Sequence, residues 1–161
     1  MSPATRRGAL TRGVLALGGL IGLGTAEASA ARGAATLVLY GRDVAGDSRD
    51  NAVPMRGDRL TLRGELLDAR GHVVGELHGA VMTLRGPGAH GSDAERLELH
   101  TFKLHDGTIV GSGTSGALEG EFAVLGGTGR YAGARGTYAA RHKRREHGGD
   151  GTAEFRFTLT V

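Results

Sequence analysis

The chain has 161 residues and no cysteine, so its fold must hold together without disulfides. Large side chains are scarce as well: it has four phenylalanines and three tyrosines. Beyond the first thirty residues helical periodicity is missing, which argues against an α/β domain. A strong excess of one charge is missing too. The whole chain carries a formal +3 and a pI of ≈ 9.8, but three basic residues and one acidic residue lie in the first thirty, leaving +1 for the rest. So nearly neutral a domain gives no electrostatic handle for nucleic acid or an anionic membrane, and neither is expected as a partner.

What is present begins with a leader. Arg6, Arg7 and Arg12 precede an uncharged stretch from Val14 to Gly24, which ends in the small-residue run Ala28-Ser29-Ala30. A basic start, an apolar stretch shorter than the roughly 20 residues of a membrane span, and an A-x-A site make residues 1–30 a signal peptide. The pair Arg6-Arg7 also resembles the start of a twin-arginine leader. The expected product is a secreted, extracytoplasmic protein whose residues 31–161 form one domain, large enough to bury a single core.

Period-two alternation recurs in that domain, over Thr36–Tyr40, Arg59–Leu67, Val73–Leu84, Arg96–Leu104, Thr108–Leu118, Glu121–Leu125, Arg130–Arg141 and Thr152–Val161. The last is the clearest, with Phe155, Phe157, Leu159 and Val161 on one side and Glu154, Arg156, Thr158 and Thr160 on the other. Turn residues separate the runs, as in Asp68-Ala69-Arg70-Gly71, Gly86-Pro87-Gly88, His105-Asp106-Gly107 and His147-Gly148-Gly149-Asp150-Gly151. Glycines also fall inside the runs, at 64, 75, 79, 111, 113, 133 and 136. They would weaken a flat sheet, but a closed, strongly coiled barrel uses them to bend and to let backbones approach. The reading is an all-β, closed antiparallel barrel of about eight strands. Such a barrel is wide enough to be plugged by side chains or to hold one small ligand, and the shortage of large side chains favours the ligand.

Three stretches, in order, resemble the dirigent and allene oxide cyclase superfamily: Leu37-Val38-Leu39-Tyr40-Gly41-Arg42-Asp43, Phe102 through Gly113, and Phe122 through Gly136. The third carries the most specific pattern, an apolar strand, the turn Gly126-Gly127-Thr128-Gly129, an aromatic at Tyr131, and Ala134-Arg135-Gly136. Its glycines also resemble a dinucleotide fingerprint loosely, but no helix follows, so nucleotide binding is set aside. The resemblance implies an eight-stranded barrel, commonly a trimer, whose open end binds a small apolar molecule without metal or organic cofactor. Dirigent proteins steer radical coupling, allene oxide cyclases isomerise a reactive epoxide, and similar bacterial barrels cyclise polyketide-like intermediates. Their shared principle is confinement of one conformer.

The resemblance places Asp43 and Arg135 as catalytic candidates. Asp43 follows the first strand, where a carboxylate could act as acid or base or simply cap a turn. Arg135 could hold a substrate oxygen or pair with Asp43, and Tyr131, four residues earlier, would share its face on a strand. Tyr131, Tyr40 and His100 are candidate ligand contacts, with core packing the rival for Tyr131 and hydrogen-bonded filler the rival for His100. Seven histidines stand at 72, 78, 90, 100, 105, 142 and 147, and no pair shows a metal-binding spacing with a carboxylate on its face, so no metal site is expected. Ser112 and Ser115 lack a nucleophile elbow. Three functions remain open: a cofactor-free cyclase or isomerase, a dirigent-like or carrier barrel, and a structural barrel.

Overall fold

The computed structural model describes residues 34–47, 53–87, 94–116, 118–143 and 150–160. The expected leader, His90, His147, Arg144 and Arg145 lie outside the described residues. Eight strands form the barrel: β1 (Ala34–Asp47), β2 (Arg59–Leu67), β3 (Val73–Arg85), β4 (Glu95–Leu104), β5 (Gly107–Ser115), β6 (Glu119–Gly129), β7 (Arg135–Lys143) and β8 (Thr152–Thr160). Each pairs antiparallel with its neighbour in sequence, and β1 closes the barrel on β8, as the alternation predicts. Closure leaves every one of the described strands with a partner on both sides.

Because side chains alternate across a strand, the register divides every strand into an inner and an outer set. The lower end, where β1 starts and β8 finishes, holds Leu39, Leu66, Leu77, Phe102, Ile109, Val124, Phe157 and Leu159, all buried. Phe122, Tyr138 and Phe155 cross the waist. Phe122 stacks on Tyr138 at 4.9 Å between ring centroids, and Tyr138 on Phe157 at 4.7 Å. Five of the seven aromatics, Phe102, Phe122, Tyr138, Phe155 and Phe157, are thus gathered into one cluster that fills the lower barrel and its waist, which corrects the expectation of a hollow interior there. Gly111 on β5 makes the stack fit, since a Cβ there would overlap the Tyr138 ring.

Two local readings change. The Gly126-Gly127-Thr128-Gly129 run is not a turn but the end of β6, with a register shift opposite Val110 and Gly111. The reversal lies in residues 130–134, closed by the bond from the Ala134 amide to the Tyr131 carbonyl. Tyr131 and Arg135 therefore do not share a strand face: Tyr131 is buried in the core and Arg135 is exposed.

Candidate functional site

The upper half of the barrel is polar. Thr83, Arg96, Glu98, His100, Ser115 and His142 are buried there. Three of them come from β4, where Arg96, Glu98 and His100 occupy alternate positions and so face inward together, in line with Phe102. Leu97 and Leu99 then point out of the barrel and line an open groove of about 940 Å³ with Ala80, Met82 and Ser112. A strand that exposes its leucines and buries a carboxylate and an imidazole inverts the usual preference, at a cost unless the buried groups satisfy one another.

Three strands bring them into contact. Glu98 and His100 are both 0% exposed, and His100 Nε2 lies 3.0 Å from Glu98 Oε2. The Ser115 hydroxyl, from the end of β5, donates to Glu98 Oε1 at 2.6 Å. The Tyr138 hydroxyl, from β7, lies 2.9 Å from His100 Nδ1. His142, one inward position beyond Ala140 on β7, brings its ring within 6.4 Å of His100 between centroids. Ligand atoms of Glu98, His100 and His142 all lie within 4.8 Å of one another. The sequence reading joined no histidine pair with a carboxylate; the register does, because β4 and β7 face each other across the barrel.

Burial, and after it the charge of Glu98, holds the Tyr138 phenol well above its ordinary value of 10.0. Tyr138 therefore keeps its proton and can donate to His100 Nδ1 when the imidazole proton sits on Nε2, beside Glu98. The same shift has a consequence for stability. The native state keeps a proton that the unfolded chain loses above pH 10, so the contribution is complete below that pH and is lost as pH rises toward the folded value. Stability should fall from about pH 10 upward, and Tyr138→Phe should flatten that fall in denaturant melts across pH. A Tyr138 phenol that ionises near pH 10 in the folded protein, seen by ultraviolet absorbance, would contradict this reading.

The other candidates lie elsewhere. Tyr40 is on the outer face of β1 and 37% exposed. Asp43 is exposed at a register shift in β1, with a positive φ of 51°. Arg135 donates from Nη1 to the carbonyls of Leu125 and Ala134. Asp43 and Arg135 sit at opposite ends of the barrel: Arg135 pairs with Thr160, which pairs with Ala34, whereas Val44 bonds to Gly151 at the far end of β8. Some nine residues of strand, roughly 30 Å, separate the two levels, so the expected pair does not form. Of the five candidates, His100 lies in the cluster. Glu98, Tyr138, Ser115 and His142 were not singled out as its partners, although Phe102 has the same strand parity as Glu98 and His100 and marked their face as the inner one.

No family model matches the chain, and no curated protein matches it. Solved structures do. The chain is similar to a pyocyanin demethylase at 20% identity and a TM-score of 0.62, over 78% of this chain and 100% of that one. It is similar to a pterocarpan synthase dirigent protein at 17% identity and a TM-score of 0.61, over 79% of this chain and 87% of that one. A Diels–Alderase from Streptomyces koyangensis matches at 19% identity and a TM-score of 0.61, over 83% of this chain and 70% of that one. The chain thus has the closed eight-stranded barrel fold shared by dirigent proteins and cyclase-type barrels.

Proposed function

We propose that this protein binds a small, largely apolar molecule at the upper half of the barrel and rearranges it by proton transfer, as a cyclase or isomerase. The observation that carries the reading is the Glu98–His100–Tyr138 constellation, buried within a barrel whose lower half is aromatic. Buried ionisable groups cost stability, and their gathering in one place is characteristic of sites that use them. Glu98 is the proton acceptor, held by Ser115 through its other oxygen. His100 sits beside it as the second proton-carrying group, with Tyr138 fixing its tautomer. The aromatic floor of Phe102, Phe122 and Phe155 fixes the conformer of the apolar part, which lowers the entropy cost of ring closure or migration. Similarity of fold to a dirigent protein and a Diels–Alderase supports the substrate class. Export from the cytoplasm, resting on the leader, and self-association through the outward Leu97 and Leu99 belong to the same reading.

The test begins with a thermal-shift screen of small cyclic and polyunsaturated carbonyl compounds. For each compound that binds, exchange of its acidic C–H protons for deuterium is followed by NMR. Glu98→Gln, which keeps the shape and the Ser115 contact, should slow the catalysed exchange by about 10²- to 10⁴-fold while the compound still binds. Equal exchange by parent and variant would overturn the proposal.

A further inference from the structure

We propose that Glu98, His100 and His142 form a binding site for one divalent transition-metal ion of borderline softness, such as Zn²⁺, Co²⁺ or Fe²⁺. Two imidazoles and one carboxylate are a donor set that suits these ions and leaves coordination positions open. The three side chains come from two strands and are all buried, and their ligand atoms lie within 4.8 Å of one another. Metal–ligand bonds of about 2.0–2.2 Å place neighbouring donors roughly 3 to 3.5 Å apart, so small side-chain rotations complete the site.

Two details distinguish this cluster from an ordinary ion pair. His100 Nε2 and Glu98 Oε2 are 3.0 Å apart, yet His100 Nε2 makes no aligned hydrogen bond. The contact has the spacing of two donors sharing a third atom. The opposite atom of each of these two ligands is held by a hydroxyl: Ser115 donates to Glu98 Oε1 at 2.6 Å, and Tyr138 meets His100 Nδ1 at 2.9 Å. Ligands oriented through their second atom in this way are the usual outer partners of a metal centre. On loading, the imidazole proton moves from Nε2 to Nδ1, where the Tyr138 oxygen accepts it, since a phenol both donates and accepts. Arg96, one inward position before Glu98 on β4, adds a positive charge on the same face and keeps affinity below that of a site without it.

This inference does not rest on the proton-transfer reading, because an ion can occupy the cluster whether or not an organic molecule binds, and the exchange assay run with a chelator tests that reading alone. The experiment titrates Co²⁺ into chelator-stripped full-length protein. The expected result is a visible absorption band that saturates at one equivalent and is displaced by Zn²⁺. His142→Ala should weaken Co²⁺ binding by at least 100-fold. Ser115→Ala, which keeps all three ligands and guards against a fold defect in the first variant, should weaken it about 10- to 100-fold. Circular dichroism melts of both variants confirm that the barrel is intact. The exposed pairs Asp68–His72 and Glu76–His78 are the competing surface sites. Absence of a saturating band, full binding by both variants, or loss of binding in the His72→Ala/His78→Ala double variant would overturn the proposal.

Discussion

Replacing Gly136 by alanine should remove a large part of the stability of the barrel, while the same change at Gly133, three residues earlier in the same motif, should cost little. Gly136 has a φ of 134°, a region that side-chain-bearing residues hardly enter, and a Cβ there would overlap the carbonyl oxygen of Thr158. The overlap is with backbone of β8, the strand that β7 pairs with through Gly136↔Leu159, so nothing can swing aside without breaking the ladder. Strain and overlap together cost on the order of 4 kcal/mol or more, against about 5–15 kcal/mol for a whole domain. Gly133 also has a positive φ, 79°, but nothing lies within 4 Å of the added Cβ. Its substitution costs roughly 1 kcal/mol. Urea melts of the two variants measure the difference, and equal midpoints would show that close approach is not what the motif provides.

That contrast gives the most recognisable stretch of the sequence a structural role. Ala134 is 0% exposed, Gly136 admits a neighbouring backbone, and Arg135 between them ties down the carbonyls of Leu125 and Ala134 from the surface. The motif is specific because backbone packing is demanding, and packing leaves a sharper sequence pattern than a proton-transfer site does. The strands themselves were legible for a simple reason. Where a face is apolar on one side and polar on the other, as in β8 with Phe155, Phe157 and Leu159 inside, period two announces both strand and orientation. β4 shows the limit. Its alternation is equally strong, but the set that belongs inside reads Arg96, Glu98, His100 and Phe102, so a hydrophobicity rule turns the strand over. Only Phe102 in the same parity, with Tyr138, Ala140 and His142 facing it from β7, reveals the true orientation. The link between His100 and His142 is a matter of tertiary register, 42 positions apart, and no local spacing encodes it.

If the cluster is one unit, its members should be strongly non-additive in stability. Glu98→Leu removes the carboxylate from a fully buried contact with His100 and leaves the Ser115 hydroxyl without its acceptor. Breaking a buried pair from one side costs about 3–5 kcal/mol, because the surviving polar groups stay desolvated. His100→Leu leaves the Tyr138 hydroxyl without its partner and costs a comparable amount. The double variant places two leucines beside Phe122 and Phe155, whose rings already lie 4.9 and 6.0 Å from the His100 ring. It should be far more stable than the sum of the single changes predicts, with an interaction energy on the order of 1–3 kcal/mol. Paired denaturant melts close the cycle. Strict additivity would mean that Glu98 and His100 do not act together, and both the proton-transfer and the metal readings would lose their common foundation. Coupling beyond that range, large enough to bring the double variant close to the parent, would mean that an apolar core serves this position almost as well for folding. The ionisable groups would then be retained for what they do to a bound molecule or ion, since stability alone would not keep them.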